Sequence, residues 1–473
     1  MRQVEEFEKS VKISLRESEM QKRTALVSQK QLSSIELAFK QFENLELARN
    51  RAAYLKWKVN ENLDKYLIDF ESALVRKGGK ILWADDAATA LKEIEQILKR
   101  KNAKKIIKSK SLIAEEIELN KFLKSKSYQI IESDIGDYIV DQFGEKSFHP
   151  QFSAMHKSVG EVNEMLNKKI SSSLDIQIDE LNMDLRMNLR DNFFLADVGI
   201  SEANFLIAES GNVCITENEG NASLCSTFAK THIVIAGIDS ILPLLNDIDL
   251  FFSLLATYQS GQKIATYNSI IGPKTPDEDD GPDEFIVVLI DNGRSNILAA
   301  QDQRSALSCI QCGACHHVCP VFKNIGGLAY NTAHTGPIGK VTEPLAKGLK
   351  DFQHLSFAST NCGKCKDICP VKIDIPNHLN QNKRDAIQLG LGNTGDKLTW
   401  FAWKQAMSSR KNLNSSEKFK NFTFKKLLKS TWGDEREFPK VVVKSFNQLW
   451  REKFGEQKPD KQVPFTNKSF KTY

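Results

Sequence analysis

Seven of the nine cysteines stand in two runs between residues 309 and 369, and their spacing selects one kind of chemistry. The first run, Cys309-Ile-Gln-Cys312-Gly-Ala-Cys315-His-His-Val-Cys319-Pro320, is a complete C-x2-C-x2-C-x3-C-P series, the arrangement in which thiolates hold iron–sulfur clusters. The second, Cys362-Gly-Lys-Cys365-Lys-Asp-Ile-Cys369-Pro370, repeats the last three cysteines and the closing proline but carries Ser359 where the first cysteine would stand. Three thiolates on one tight loop grip three corners of a cubane, and the small residues Gly313 and Gly363 let the backbone approach the inorganic sulfides.

A proline after the last cysteine turns the chain away, so that in two-cluster ferredoxins this thiolate reaches the other cluster. One cluster is therefore expected on Cys309, Cys312, Cys315 and Cys369, and a second on Cys319, Cys362 and Cys365. The second has one corner without a protein thiolate. Either Ser359, a water or a partner fills it, or the cluster is a 3Fe-4S rather than a 4Fe-4S species. Four thiolates in paired C-x2-C motifs also suit tetrahedral zinc, but seven cysteines with two Cys-Pro endings exceed what zinc needs. His316 and His317 lie inside the first run and are expected to tune the cluster rather than bind iron, because Cys315 and Cys319 complete the pattern.

The elements that position these loops follow from the rest of the chain. At 473 residues it is too long for a ferredoxin module alone and has room for roughly two to four domains. Apolar residues at 41% and charged residues at 26% describe a globular protein, and a net charge of +5 with basic residues spread along the chain argues against a nucleic-acid partner. The N-terminus, Met1-Arg-Gln-Val-Glu-Glu-Phe-Glu-Lys, has no apolar run behind its charges, and no stretch approaches the roughly 20 apolar residues of a membrane span. The expectation is a soluble, cytoplasmic protein without disulfides.

Residues 1–75 read as helices, with Ser33 to Leu47 and Ala52 to Val75 free of proline. Strands then alternate with amphipathic helices. Lys80 to Trp83 precedes a helix from Ala87 to about Lys99 that Asp85-Asp86 can cap, and Lys104 to Lys108 precedes a Ser111-capped helix from Leu112 to Lys124, followed by a strand from Tyr128 to Glu132. Ala203 to Ala208, Val213 to Thr216, Ile233 to Gly237 and Phe285 to Ile290 add apolar strands suited to a buried parallel sheet, and residues 272–282 form an exposed loop between neighbouring strands. The expected organisation is an N-terminal helical region (1–75), an α/β domain (76–298), a ferredoxin-type module (299–392) and a C-terminal tail (393–473). The 42 residues between Cys319 and Cys362 predict an α-helical rather than a β-hairpin ferredoxin, with a helix over Glu343 to Leu349. In the lysine-rich tail, Trp400, Phe401, Trp403, Trp432 and Trp450 are expected to be packing anchors in helical or partly extended chain.

Within this frame the chain resembles the iron–sulfur subunit of the bacterial lactate-utilization system, the LutB-type proteins. The resemblance rests on the order of Lys108-Ser-Lys-Ser111, Asp134-Ile-Gly-Asp-Tyr138, His149-Pro150, Ala154-Met-His156-Lys157, Thr216-Glu-Asn-Glu-Gly-Asn221, Lys230-Thr-His232, Gly272-Pro273, Asp280-Gly-Pro282 and Asp291-Asn-Gly-Arg294 upstream of the cysteine runs. It implies a NagB/RpiA-like lactate-utilization domain, an α-helical double-cluster ferredoxin module and a helical tail. It also implies electron transport in a complex that oxidises L-lactate to pyruvate, with LutA-like and LutC-like companions, and makes Ser359 a family trait.

The residues themselves support a narrower statement. A cubane takes one electron at a time, and no dinucleotide fingerprint stands at a strand-to-helix turn, so the chain reads as a relay and not as the dehydrogenase centre. The alternative is an enzyme whose α/β domain binds and converts a small organic acid, with the clusters draining its electrons. The candidate ligand loop is Asn218, Glu219, Gly220 and Asn221, preceded by Glu217 at the end of an expected strand, with Lys108 or Lys110 supplying charge. The same loop also reads as a polar turn, and His149, His156 and His232 as hydrogen-bonded structural histidines. Cys214 and Cys225 lie outside any motif and are expected to be buried thiols.

Overall fold

The computed structural model describes residues 2–170, 178–392, 394–409, 421, 442 and 444–455, in two units, residues 1–389 and 390–473. In the first unit ten strands are described: β1 (Lys80–Ala84), β2 (Lys105–Lys108), β3 (Gln129–Glu132), β4 (Val198–Glu202), β5 (Phe205–Ile207), β6 (Asn212–Glu217), β7 (Thr231–Gly237), β8 (Ile241–Leu242), β9 (Tyr267–Ile271) and β10 (Glu284–Ile290). Six form a sheet in the order β1-β10-β7-β4-β2-β3, parallel throughout.

The unbroken apolar runs of β7 and β10 follow from covering both faces of this sheet. Alternate side chains of the same two strands enter different cores. Val234, Ala236, Phe285, Val287 and Leu289 pack with Leu67, Phe70 and Leu74 of the helix Leu63–Arg76. Ile233, Ile235, Ile286, Val288 and Ile290 pack with Ile94, Ile97 and Leu98 of the helix Ala87–Arg100.

The expected caps are present. Asp86 accepts from Thr89 N–H at 2.8 Å, and Ser111 accepts from Ala114 N–H at 2.9 Å. Several boundaries differ from the sequence reading. The helix expected over Ser33–Leu47 stops at Ala38, and Asn44 caps a new one, Leu45–Asn60, by accepting from Leu47 N–H. The helix expected over Ala52–Val75 breaks before Leu63, where a second asparagine, Asn62, stands at the N-cap. The helix expected over Leu112–Lys124 is split by Glu118, which adopts φ +54°.

The expected strands also divide between two sheets. A smaller sheet, β8-β5-β6-β9, is mixed, because β5–β6 and β6–β9 are antiparallel. The exposed loop 272–282 therefore joins strands of different sheets rather than neighbours in one. The central strand β4 was not among the expected strands, since Gly199 interrupts its apolar run. That glycine is needed for packing: a Cβ there would lie 2.0 Å from the carbonyl oxygen of Cys225, on the helix Asn221–Phe228.

The cysteine-bearing segment is α-helical, with helices Gly336–Lys347 and Leu349–Phe357 between the two runs and Ile375–Gln388 after them. It shares a core with Ala52 and Leu55 of the helix Leu45–Asn60 and with Phe251, Leu254 and Tyr258 of Ile248–Ser260. The second unit contains the helices Thr394–Met407 and Phe446–Phe454, the latter started by a capping box between Ser445 and Gln448. Within these helices Trp400, Phe401, Trp403 and Trp450 are exposed, not buried as anchors, and Trp432 lies outside the described residues. Among the described residues no helix is long and apolar enough to cross a membrane.

Candidate iron–sulfur sites

Each cysteine run folds around a short helical turn entered through a glycine in the left-handed region, Gly313 at φ +76° before Ala314–Val318 and Gly363 at φ +85° before Lys364–Asp367. Both positions need the conformation. The open space differs, because a Cβ on Gly363 would meet nothing, whereas one on Gly313 would lie 2.8 Å from Cε1 of His149.

The seven thiols wall two cavities. The first is lined by Cys309, Cys312, Cys315 and Cys369 together with Ile310, Val371 and Ile373. The second is lined by Cys319, Cys362 and Cys365 with Ser359, Thr360 and Asn361. Thus Cys369 of the second run stands on the first wall and Cys319 of the first run on the second. One helical turn, Ala314–Val318, joins the cavities, since Cys315 lies within it and Cys319 ends it.

Charge and hydrogen bonding follow the same division. Burial pushes the Cys309 thiol up to about 12 and raises those of Cys312, Cys315 and Cys369, with neighbouring thiols of the set adding to the rise at Cys309, Cys312 and Cys315. Burial likewise takes Cys365 to about 12, followed by the charges of Cys319 and Cys362. Cys362 is exposed, and the Lys364 backbone N–H, above other causes, lowers its pKa. Backbone N–H groups point at three sulfurs, Gln311 at Cys309 (3.4 Å), Phe322 at Cys319 (3.5 Å) and Ile373 at Cys369 (3.4 Å). Buried thiols favour the thiolate only where a metal takes the charge. The donor set, four thiols on one cavity wall and three on the other, exceeds what a single tetrahedral zinc needs and fits iron–sulfur ligation.

Ser359 lines the second cavity, and its hydroxyl accepts from Asn361 N–H at 3.1 Å. His316 and His317 both make hydrogen bonds within the chain, and His316 Nδ1 lies 3.6 Å from Sγ of Cys315. His316 Nε2 meets Thr335 Oγ1 at 3.2 Å and His317 Nδ1 meets Ser28 Oγ at 3.4 Å; burial drives them down to about 3 and 4, respectively. His149 stacks on His317 at 4.6 Å and accepts from Gln151 N–H through Nδ1 at 3.1 Å, so three neutral imidazoles pack behind the first loop. His156 pairs with Glu145 at 2.8 Å and His232 with Ser201 at 2.7 Å. Cys214 and Cys225 are buried.

Some contributors carried no motif signal. Arg49 donates to the Cys369 and Asp367 carbonyls, each at 2.8 Å, and Gln151 Nε2 donates to the Gln311 carbonyl at 2.9 Å. Arg294, known from the sequence only through Asp291-Asn-Gly-Arg294, lines the first cavity and binds Glu116 and Asp239, each at 2.8 Å, while His334 meets Glu116 at 2.7 Å.

The candidate ligand loop follows β6 as expected, but its groups are engaged within the chain. The Glu217 carboxylate accepts from Ala222 N–H, Ser223 N–H and Ser223 Oγ at 2.8–2.9 Å, which places it where an anion would meet the N-terminus of Asn221–Phe228. Asn218 accepts from Thr266, and Glu219 accepts from Asn221 Nδ2 at 3.0 Å. Gly220 adopts φ +78°. Lys108 pairs with Glu132 at 2.9 Å and Lys110 with Asp137 at 2.8 Å. Asn218, Glu219 and Asn221 line a polar cavity at the ends of β2, β3, β4 and β6. Its walls hold Asp134, Glu202, Glu217 and Glu219 against Lys110, and burial raises Asp134 to about 6.

Comparison with known proteins matches residues 67–290 to the LUD domain and residues 305–373 to a 4Fe-4S dicluster domain. Over 439 residues the chain is 34% identical to lactate utilization protein B of Bacillus licheniformis, covering 90% of this chain and 92% of that protein. The chain belongs to the lactate utilization protein B family. Another member, from Bacillus pumilus, is 36% identical over 74% of each chain. An uncharacterized electron transport protein of Escherichia coli, YkgF, is 33% identical, covering 87% of this chain and 89% of that one. The LUD match spans both sheets, and the dicluster match includes both cysteine runs, so the family's two domains correspond to the α/β layers and the helical cysteine module.

Proposed function

We propose that this chain is the iron–sulfur electron-transfer subunit of a complex that oxidises L-lactate to pyruvate. One cluster is assigned to Cys309, Cys312, Cys315 and Cys369, and the other to Cys319, Cys362 and Cys365. The observation that carries the reading is the division of seven thiols between two cavities joined by one helical turn. When bound, each cluster supplies a one-electron acceptor, so that two of them can pass on the two electrons released with two protons as lactate becomes pyruvate.

The chain's own residues set the path. The first cysteine set lies in the shared apolar core, while Cys362 brings the second set to the surface, which makes the second cavity the port toward an electron partner. The N–H groups of Gln311, Phe322 and Ile373 place partial positive charge at three of the sulfurs. The names of the relatives supply the substrate, and LutA-like and LutC-like companions are assigned to the lactate chemistry. Seven unpaired thiols suit a reducing compartment, the cytoplasm.

A second reading, in which the LUD domain itself converts a small organic acid, draws on the polar cavity at the strand ends. Its four carboxylates against one lysine suit an anionic acid poorly. Lactate-dependent reduction of an artificial acceptor separates the two readings. The relay requires activity in the assembled complex, loss of it in Cys312→Ser and Cys365→Ser, and retention in Glu219→Gln with both clusters intact. Robust lactate oxidation by the isolated chain, or loss of turnover in Glu219→Gln, supports the enzyme.

A further inference from the structure

Three lysines are buried among the described residues, Lys56, Lys108 and Lys340, at 1%, 2% and 1% exposure. A buried ammonium is costly unless an opposite charge compensates it. Lys108 is compensated by Glu132. Lys56 donates to the Asp239 carbonyl at 2.5 Å and feels the carboxylate of the same residue. Lys340 has no carboxylate partner among the described residues. Its Nζ donates to the Ala358 carbonyl at 2.6 Å, lies 3.8 Å from Sγ of Cys319 and stands 5.6 Å from the centre of the Tyr330 ring. Glu343, one helical turn further on, is taken by Lys347 at 2.8 Å.

The place of Lys340 in the fold is equally specific. It projects from the helix Gly336–Lys347 to line the second cavity with Cys319, Cys362, Cys365 and Ser359. Burial lowers the pKa of Lys340, and the negative charges that oppose this are those of Cys319, Cys365 and Cys315, the last belonging to the first set. The lysine therefore stands where the two thiol sets approach each other, and its compensation exists only when those sulfurs carry negative charge.

We propose that Lys340 is the built-in counter-charge of the second cluster and holds its reduction potential above the value the three cysteines alone would give. Reduction adds an electron to a group already negative in its thiolate shell, and a fixed cation 3.8 Å from one of those sulfurs favours the added electron. The effect is strong here because the ammonium is shielded from solvent and salt. The second cluster, lacking one cysteine and open at Cys362, thereby receives a fixed electrostatic bias from the protein. This inference rests on the assignment of Cys319, Cys362 and Cys365 to that cluster.

The test is a redox titration, followed by EPR, of the full chain with its clusters reconstituted anaerobically. Lys340→Gln removes the charge and keeps a donor for the Ala358 carbonyl. The expected result is unchanged iron content and a more negative midpoint for the second cluster, with a smaller shift at the first. An unchanged midpoint overturns the role of Lys340 alone. If Lys340→Gln does not retain the second cluster, Lys340→Arg decides. Retention there with a midpoint near that of the parent supports the charge as the operative property, and loss in both variants overturns it. A parent chain with iron for only one cluster overturns the ligand assignment, and the proposal with it.

Discussion

Arg49 and Cys369 are 320 residues apart in sequence, yet Nε and one Nη of the arginine both donate to the cysteine's carbonyl, at 3.2 and 2.8 Å. The same Nη reaches the Asp367 carbonyl at 2.8 Å. A helix of the N-terminal region thus fixes the backbone of the second cysteine run at the point where its last thiol turns toward the first cavity. The crossed arrangement of the two runs is held from outside as well as by the runs themselves.

Arg49→Ala should loosen Cys369 without touching any thiol. Three charge-assisted hydrogen bonds are lost, and a hydrogen bond to a charged group contributes about 1.5–3 kcal/mol. The expected outcome is faster bleaching of the visible iron–sulfur absorbance by a chelator than in the parent. Bleaching at the parental rate would show that the helix Leu45–Asn60 does not brace the site.

Glu217 and Glu219, two residues apart, should differ in what they contribute to stability. Glu217 caps the helix Asn221–Phe228 through three bonds, and that helix packs against β4 at Gly199, whereas Glu219 accepts from Asn221 Nδ2 and, at 3.5 Å, from Ile135 N–H. Loss of a helix cap costs about 0.5–2 kcal/mol, and a surface change away from such features about 0.5 kcal/mol or less. Thermal unfolding should place Glu217→Ala clearly below Glu219→Ala. The reverse order would contradict the capping role.

What the sequence disclosed depended on how local the cause was. The cysteine spacing, the Asp86 and Ser111 caps and the apolar strands β7 and β10 are written in neighbouring residues, and the structure has the caps and strands where they were expected. The break at Glu118 and the strand around Gly199 were not legible, because a positive φ at a glutamate and a 2.0 Å approach to the Cys225 carbonyl are consequences of packing. Arg49, Gln151 and Lys340 contact the cysteine loops from 21 to 320 residues away, and no local pattern sets a basic or amide residue at such distances apart from its neighbours. The ligand loop was found in the right place, after β6, but the capture of its helix N-terminus by Glu217 depends on a three-dimensional turn.

Glu115 gives the fold a pH dependence that can be isolated. Burial, followed by the charge of Asp137, raises its carboxyl from 4.5 to about 7, against the opposing Ser147 N–H at 3.0 Å. A raised folded-state value means that the stability contributed by the protonated form is fully present below the unfolded value and is lost as the pH rises through about 7. Glu115→Gln mimics the protonated carboxyl and keeps an acceptor for Ser147. The difference in Tm, variant minus parent, should therefore be small at about pH 5 and grow in favour of the variant toward about pH 8. A difference independent of pH would remove Glu115 from the titration.

Ser359→Cys tests the open corner of the second cluster. Ser359 lines the same cavity as Cys319, Cys362 and Cys365 and stands at the position that a cysteine holds in the complete motif. Its hydroxyl is engaged with Asn361 N–H at 3.1 Å, so a thiol at this position begins on the cavity wall and has to give up one backbone contact to turn inward. A fourth thiolate would close the corner from which iron is most easily lost. On exposure to air the parent should develop the EPR signal of an oxidised three-iron species at the second site and release iron, while Ser359→Cys should give, on reduction with dithionite after the same exposure, a four-iron signal that persists for longer. If the two proteins decay alike, the corner lies away from Ser359, and its ligand comes from solvent or from a companion subunit.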